Sequence, residues 1–259
     1  MEYVGTRPRA NPVRPSPIFL GVVAATAAGA WLCVARPIDD GVAVFLFVVA
    51  GWVLSLILHE FAHAFVALRG GDLSVVDKGY LTLDPRRYTD PLTSIALPLF
   101  FLVAGGFGLP GGAVWINRGA LRSTAVETAV SLAGPATNLV VAAVCLVPLS
   151  TGIVDTAADP VLARALGFLG FVQIFAFVLN MLPVPGLDGF GAIEPHLPAS
   201  TRALLRPLRQ WSFIILFVLL FGYQPAADLL WRVVTGIMDW FGTDPDLAFD
   251  GYRLLTFWD

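Results

Sequence analysis

Long apolar stretches separated by short polar segments dominate the chain. Four of them approach or exceed the roughly 20 residues that a helix needs to cross a bilayer. A fifth, shorter run follows nearer the C-terminus. The predicted spans are residues 18–35, 42–68, 124–149, 162–182 and 211–223. The pattern therefore predicts an all-α polytopic membrane protein with about five full transmembrane helices.

The first apolar run follows basic residues, an arrangement that signal peptides and N-terminal anchors share. Its 18 residues exceed the usual hydrophobic region of a signal peptide, so we interpret residues 18–35 as an uncleaved span. Residues 1–17 contain four prolines together with Arg7, Arg9 and Arg14. We expect a disordered, basic tail there.

Residues 92–109 are also apolar, but proline and glycine interrupt them, so the segment either re-enters or crosses the membrane. Re-entry places 12 of the 16 Lys and Arg residues on the side of the N-terminus, which the positive-inside rule makes cytosolic. A full crossing would move the basic stretch 182–210 outside. We therefore favour a re-entrant segment. The cytosolic segments would then be 1–17, 69–90, 110–123 and 182–210.

Three further segments suggest other structure. Residues 73–83 mix β-branched, aromatic and threonine residues with glycine, and residues 111–117 look extended, so short β-strands are predicted near both. Residues 226–241 place charges among large apolar side chains, which predicts an interfacial amphipathic helix. The acidic end is expected to be loose. The expected organisation is a transmembrane core, 18–223, and an amphipathic, acidic C-terminal segment, 224–259.

Composition agrees with a membrane location. Hydrophobic residues make up 57% of the 259 and charged residues 14%, against about 25% charged in soluble domains. The net charge of −3 argues against a nucleic-acid partner. Cys33 and Cys145 each lie inside an apolar run, and no Cys-x-x-Cys is present. We expect neither a disulfide nor a thiolate metal site.

The second predicted span contains two of the three histidines, in the sequence His59-Glu60-x-x-His63. Positions i and i+4 of a helix share one face, so both imidazoles can reach one metal ion with Glu60 beside its bound water. The alternative is a chance motif whose polar residues pack between helices. Because ionisable residues inside a membrane are costly, we favour a metal site.

A catalytic zinc usually has three protein ligands, which leaves one to find. Asp188 is the preferred candidate, since it follows an apolar helix on the same predicted side as the histidines. His196 and Glu194 are the alternatives, further along a polar loop, and an ordinary Asp-Gly turn is the non-functional interpretation. Pro183, ahead of Asp188, would break the helix and let the backbone turn towards a polar cavity.

Three motifs together resemble those of the site-2 protease family of intramembrane zinc metalloproteases, over roughly residues 50 to 195. The resemblance implies one Zn²⁺ bound by His59, His63 and Asp188, with Glu60 as the catalytic acid and base. It also implies substrates that are single membrane-spanning segments, such as anti-sigma factors or remnant peptides, cut after a first cleavage outside the membrane. The motifs are His59-Glu60-x-x-His63, Gly134-Pro135-x-x-Asn138 and Asn180-x-x-Pro183-x-x-x-x-Asp188-Gly189.

The chain is similar to the compact bacterial branch of that family, without PDZ or CBS domains. Where that branch has Thr-Leu-Asn-Pro and His-Ile-Asp-Pro in the loop after the first motif, this chain has TLDP at 82–85 and YTDP at 88–91. Substrate selection by such extra domains would need another protein, so a membrane adaptor is an expected partner. The expected location is the cell membrane, with the N-terminus and the active site on the cytosolic side.

Some assignments stay open at this stage. Asn138 and Asn180 either donate hydrogen bonds to the reacting oxyanion or pack between helices. A metal-ion or proton transporter that uses the intramembrane His/Glu/Asp cluster is the alternative function. Its other spans would carry polar residues, and here they are nearly free of charge. A pseudoenzyme is the third hypothesis, and the intact Glu60 argues against it.

Overall fold

The computed structural model describes residues 13–88 and 114–258. Every regular element in these two ranges is a helix. The long helices are α1 (Pro17–Ala35), α2 (Asp40–Gly70), α4 (Thr124–Ser150), α5 (Pro160–Asn180) and α9 (Gln224–Trp240), and the shorter ones are α3 (Ser74–Asp77), α6 (Asp188–Ile193), α7 (Ala199–Leu205), α8 (Ser212–Phe221) and α10 (Pro245–Leu255).

Four helices in the described ranges, α1, α2, α4 and α5, are long and apolar enough to cross a membrane. They confirm the first four predicted spans. Local signals set the ends of α2. The Asp39 carboxylate accepts hydrogen bonds from the backbone N–H groups of Gly41 and Val42, and the helix ends at Gly71, whose φ of 121° disfavours any side chain.

Helix α2 lies at the centre of the bundle and packs against α1, α4 and α5. Glycines let the helices approach closely, as is usual in membranes. A Cβ atom at Gly51 of α2 would lie 2.6 Å from the Leu169 side chain of α5, and one at Gly170 of α5 would lie 2.4 Å from Leu146 of α4. The resulting core holds the functional residues of three helices in fixed positions.

The predicted strand at 73–83 is wrong. This segment forms helix α3 and a 3₁₀ turn at Tyr80–Thr82. The Asp72 side chain accepts hydrogen bonds from the N–H and hydroxyl groups of Ser74 and so starts a helical turn. Gly79, with φ of 72°, ends it. In the second predicted strand, residues 114–117 are not part of any strand, and 111–113 lie outside the described ranges.

The fifth predicted span, centred on residues 211–223, is not one straight helix of spanning length in the described residues. Helix α8 has only ten residues, about 15 Å of rise against a hydrocarbon layer of about 30 Å. Gly222 ends it and Pro225 lies in the first turn of α9. Ser212 lies against Gly186 at one end of the bundle, and Gly242 lies against Ser150 at the other. The chain therefore passes between the two ends across α8 and α9 together.

The C-terminal segment is folded. Helix α9 confirms that residues 226–241 are helical, and their interfacial placement stays a prediction. The expectation of a loose acidic end is wrong, because α10 packs against α5 and α2. A Cβ atom at Gly251 would lie 2.2 Å from the carbonyl oxygen of Arg164, and one at Gly41 would lie 2.5 Å from the Phe257 side chain. These contacts place α10 at the end of the bundle where α2 and α5 begin.

The predicted re-entrant segment, 92–109, lies outside the described residues. The nearest described residues on its two sides are Tyr88 and Val114. Val114 donates a backbone hydrogen bond to Glu60, and Tyr88 packs on Tyr80 in the turns that follow α2. Both flanks thus lie at the end of the bundle where α2 terminates. The N-terminal end of α1 is there too, since the Ser16 N–H donates to the Thr82 carbonyl.

Candidate metal centre

Helix α2 presents His59, Glu60 and His63 towards the interior, and all three side chains are buried. The helical spacing predicted from the sequence brings the two imidazoles together, with their Nε2 atoms 3.1 Å apart. His63 lies seven residues, about 10 Å of helix, before the end of α2. The pair is therefore set inside the bundle rather than at its surface.

Asp188 joins this pair from a distant part of the chain. Helix α5 ends at Asn180, three residues before Pro183, and the chain turns back into the short helix α6, which Asp188 begins. The turn is tight: a Cβ atom at Gly189 would lie 2.2 Å from the carbonyl oxygen of Met181. The Oδ2 atom of Asp188 lies 3.2 Å from Nε2 of His59 and 3.4 Å from Nε2 of His63.

These three atoms fit a divalent metal ion. Ligands about 2.0–2.1 Å from a tetrahedral zinc lie about 3.3 Å from one another, and the observed separations are 3.1, 3.2 and 3.4 Å. In the described part of the chain, His59, His63 and Asp188 are the one such group of histidine, cysteine or acidic side chains. The other candidates lie elsewhere: His196 contacts Thr128, and Glu194 pairs with Arg118 and Arg209.

Hydrogen bonds on the far side of each ring favour the tautomer that a metal needs. Nδ1 of His59 lies 2.6 Å from Oδ1 of Asn138, and Nδ1 of His63 lies 2.6 Å from the Val130 carbonyl oxygen. A carbonyl oxygen can only accept, so each Nδ1 carries the proton. Each Nε2 then turns its lone pair to the cluster. Two lone pairs and a carboxylate that face one another form a suitable site for a divalent cation.

The Gly134-Pro135 pair lies on the α4 turn that faces the cluster. A Cβ atom at Gly134 would lie 2.2 Å from Nε2 of His63 and 2.5 Å from Nε2 of His59, so only glycine fits. Pro135 has no amide hydrogen to offer the Ser131 carbonyl one turn earlier. The neighbouring Val130 carbonyl oxygen of the same turn accepts the hydrogen bond from Nδ1 of His63.

Glu60 lies beside the metal ligands and is held from a different segment. Its Oε2 accepts a hydrogen bond of 2.9 Å from the backbone N–H of Val114. The carboxylate is only 4% exposed. Tyr88 is buried nearby, and burial, together with the Glu60 and Asp84 carboxylates, raises the pKa of its phenol. The Tyr88 hydroxyl therefore remains protonated at neutral pH.

Comparison with known proteins places the chain among curated zinc metalloproteases. It is 46% identical over 258 residues to "Putative zinc metalloprotease Rip2" of Mycolicibacterium smegmatis, covering 97% of each chain. The protein of that name from Mycobacterium tuberculosis is 45% identical, with 95% of each chain covered. "Putative zinc metalloprotease YwhC" of Bacillus subtilis is 31% identical over 74% of this chain and 88% of its own length. No family model and no solved structure matches.

The chain belongs to the compact, site-2 protease-like family of zinc metalloproteases. The family resemblance stated from the motifs is thereby confirmed. The four apolar helices and the family membership both indicate a multi-pass membrane protein. In this metalloprotease, the three candidate metal ligands and Glu60 face a single cavity of about 870 Å³. Asn180 lines that cavity as well.

One polar residue of the metalloprotease core was missed by sequence analysis. Gln173 of α5 is fully buried, and its Oε1 accepts a hydrogen bond of 2.8 Å from Nδ2 of Asn138. Asn138 thus joins His59 to Gln173. No partner for Nε2 of Gln173 is present in the described ranges. A polar side chain within a predicted span was the available signal, since buried amides in membrane helices are costly unless paired.

Proposed function

We propose that this metalloprotease is an intramembrane zinc endopeptidase, which hydrolyses peptide bonds within or near the transmembrane segments of membrane-anchored proteins. The observation that carries the proposal is the convergence of His59, His63 and Asp188 within 3.4 Å of one another, in a cavity that Glu60 also lines. Zinc bound there would lower the pKa of a water ligand to near 7 and polarise the scissile carbonyl.

Glu60 is the proposed catalytic acid and base. The Val114 N–H occupies its Oε2, so Oε1 takes the proton from the attacking water and then gives it to the leaving amine. Because the side chain is buried and held at one oxygen, it does not need to reorganise between the two transfers. Both ends of the Asn138 amide are engaged, since Oδ1 accepts from the His59 ring and Nδ2 donates to Gln173. This gives Asn138 a positioning role rather than a contact with the substrate oxyanion.

A helical substrate must unwind before its carbonyls become accessible, because they are hydrogen-bonded within the helix. Residues 114–117 are not part of a helix or strand, and all four line the cavity next to Glu60. We infer that an unwound substrate lies along this segment in an extended conformation. Residues 73–83 offer no comparable extended segment, since they form helix α3 and a 3₁₀ turn.

The proposed substrates are single-pass membrane proteins, including regulators such as anti-sigma factors or remnant peptides left by an earlier cleavage. A membrane adaptor would present them. The cavity is proposed to open to the cytosol, since 12 of the 16 Lys and Arg residues belong to segments on that predicted side. Transport of metal ions is disfavoured because residues 42–57, the half of α2 beyond the cluster, carry no charge that would continue a polar path.

The test uses the full-length chain, purified in detergent and reconstituted in nanodiscs. Wild type should contain one zinc per chain by elemental analysis and cleave a membrane-anchored reporter. Glu60→Gln should keep the zinc and lose cleavage by roughly 10²- to 10⁴-fold. Asp188→Ala should lose both. The exposed variant Arg122→Gln serves as control.

Two results would contradict the proposal. Normal cleavage by Glu60→Gln would remove the assigned base. Zinc flux into sealed proteoliposomes without cleavage of any reporter would favour the transporter.

A further inference from the structure

Three arginines follow one another along the mouth of the catalytic cavity. They belong to α7 and the 3₁₀ turn Arg206–Trp211 that continues it. Arg202, Arg206 and Arg209 are spaced i, i+4 and i+7, and all three line the cavity. Large apolar side chains of the same stretch are exposed to the surroundings: Leu204 at 76%, Leu208 at 39% and Trp211 at 50%.

The mouth carries more positive than negative charge. Four arginines line the cavity near its rim, the three above and Arg118, against two acids, Glu127 and Glu194. Glu194 is engaged by both Arg118, at 3.3 Å, and Arg209. Arg118 also lies 3.8 Å from Glu127. The acids of the rim are therefore already paired.

Arg202 and Arg206 differ from the other two arginines. Both side chains are exposed, and neither has an acidic partner in the described part of the chain. A concave site with unpaired charge and low-dielectric walls concentrates ligands of the opposite sign. The chain as a whole carries a net charge of −3. The excess of positive charge is therefore a local property of the cavity mouth.

We propose that Arg202 and Arg206 select substrates in which acidic side chains flank the membrane segment on the side of the cavity. This inference rests on the proposed protease function and adds a class of substrate to it. Membrane helices usually carry Lys or Arg at their cytosolic ends. Like-charge repulsion at the mouth would therefore exclude most membrane proteins, while an acidic flank would pair with the two free guanidinium groups.

Three reporters that differ only in the flanking triplet test the proposal: Asp-Glu-Asp, Gln-Asn-Gln and Lys-Arg-Lys. For wild type, kcat/KM should fall in that order, by roughly tenfold from acidic to basic at low salt, as expected of two exposed charge pairs. The difference should shrink as salt is raised. The Kd of each reporter for uncleaving Glu60→Gln, measured by fluorescence, should follow the same order.

Substitution of the two arginines should change the ratios of kcat/KM between the three reporters. Arg202→Gln/Arg206→Gln should bring the three reporters close together, and Arg202→Glu/Arg206→Glu should reverse their order. Arg122→Glu changes the net charge by the same two units as Arg202→Gln/Arg206→Gln, at an exposed arginine outside the cavity, and should leave the wild-type order. Equal cleavage of all three reporters by wild type would overturn the inference alone. Failure of wild type to cleave even the neutral reporter, despite bound zinc, would instead count against the protease function.

Discussion

Nδ1 of His59 lies 2.6 Å from the side-chain oxygen of Asn138, across the ring from the nitrogen that faces Asp188. Asn138→Leu should remove this acceptor and lower the zinc affinity by roughly 10- to 100-fold, as is usual for partners of metal-binding histidines. Asn138→Asp keeps an acceptor oxygen and should retain most of the affinity. Competition with a fluorescent chelator measures both variants. Equal affinity of Asn138→Leu and wild type would contradict the assigned role.

Gln173 should contribute to zinc binding through Asn138. Gln173→Leu removes the acceptor for Nδ2 of Asn138, which costs about 1 kcal/mol and about fivefold in zinc affinity. Gln173→Glu keeps an acceptor and should restore part of the loss, and the exposed Gln210→Leu is the matched control. In Asn138→Leu/Gln173→Leu the two effects should not add, since both act on the same hydrogen-bond chain. Additive losses would show that Gln173 acts independently.

Gly134 tests the packing around the metal ligands. Gly134→Ala places a methyl group 2.2 Å from Nε2 of His63, so at least one imidazole must move and zinc should be lost. Gly236→Ala in α9 meets no atom within 4 Å and should keep both zinc and activity, with a stability gain of up to about 1 kcal/mol. Zinc content and size-exclusion profiles compare the two. A fully zinc-loaded, active Gly134→Ala would refute this geometry.

Loss of the Val114 backbone N–H should lower the rate of cleavage without changing the zinc content. Val114→Pro removes the donor to Glu60, and losing a hydrogen bond to a charged group costs about 1.5–3 kcal/mol, or roughly 10- to 100-fold in rate. Val114→Ala keeps the N–H and should cleave nearly normally. Reporter cleavage and zinc content are measured together. Loss of zinc in Val114→Pro would point to disruption of the fold instead.

The C-terminal helix should stabilise the bundle without affecting the metal centre. Gly251→Val would force side-chain atoms against the Arg164 carbonyl and Phe168, and such overpacking typically costs 1–3 kcal/mol. Limited proteolysis should then cut between α9 and α10, and thermal unfolding in detergent should occur at a lower temperature. Zinc content should stay at one per chain. An unchanged unfolding temperature would show that α10 contributes little.

Sequence pattern predicted the candidate centre because each contributing motif is a local one, although Asp188 lies far along the chain from the histidines. The His59–His63 spacing specifies one face of a helix whatever surrounds it, and the need for a third ligand singled out Asp188. Gln173 was missed because its role depends on which residue of another helix lies opposite, and periodicity does not contain that information. The partner emerges only when α4 and α5 are packed together.

The errors at 73–83 and at the C-terminus have a different origin. In both places an aspartate that accepts a hydrogen bond from the backbone N–H two residues on decided the structure more than the composition did. Asp72 starts the turn at Ser74, and Asp244, followed by Pro245, caps α10 by accepting from the Asp246 N–H. Both aspartates are helix-start signals in the sequence, but the strand-forming residues of the first segment and the acidity of the second predict other structure.

Helix α10 closes the end of the bundle farthest from the zinc ligands, because it contacts α2 at Gly41 while His59 lies about 27 Å further along the same helix. Under the proposed function, a fluorescent protein fused after the last residue would lie on the membrane face opposite the proposed substrate entrance. It would leave substrates unobstructed. If such a tag matures on one side of the membrane, substrates are expected to enter the cavity from the other side.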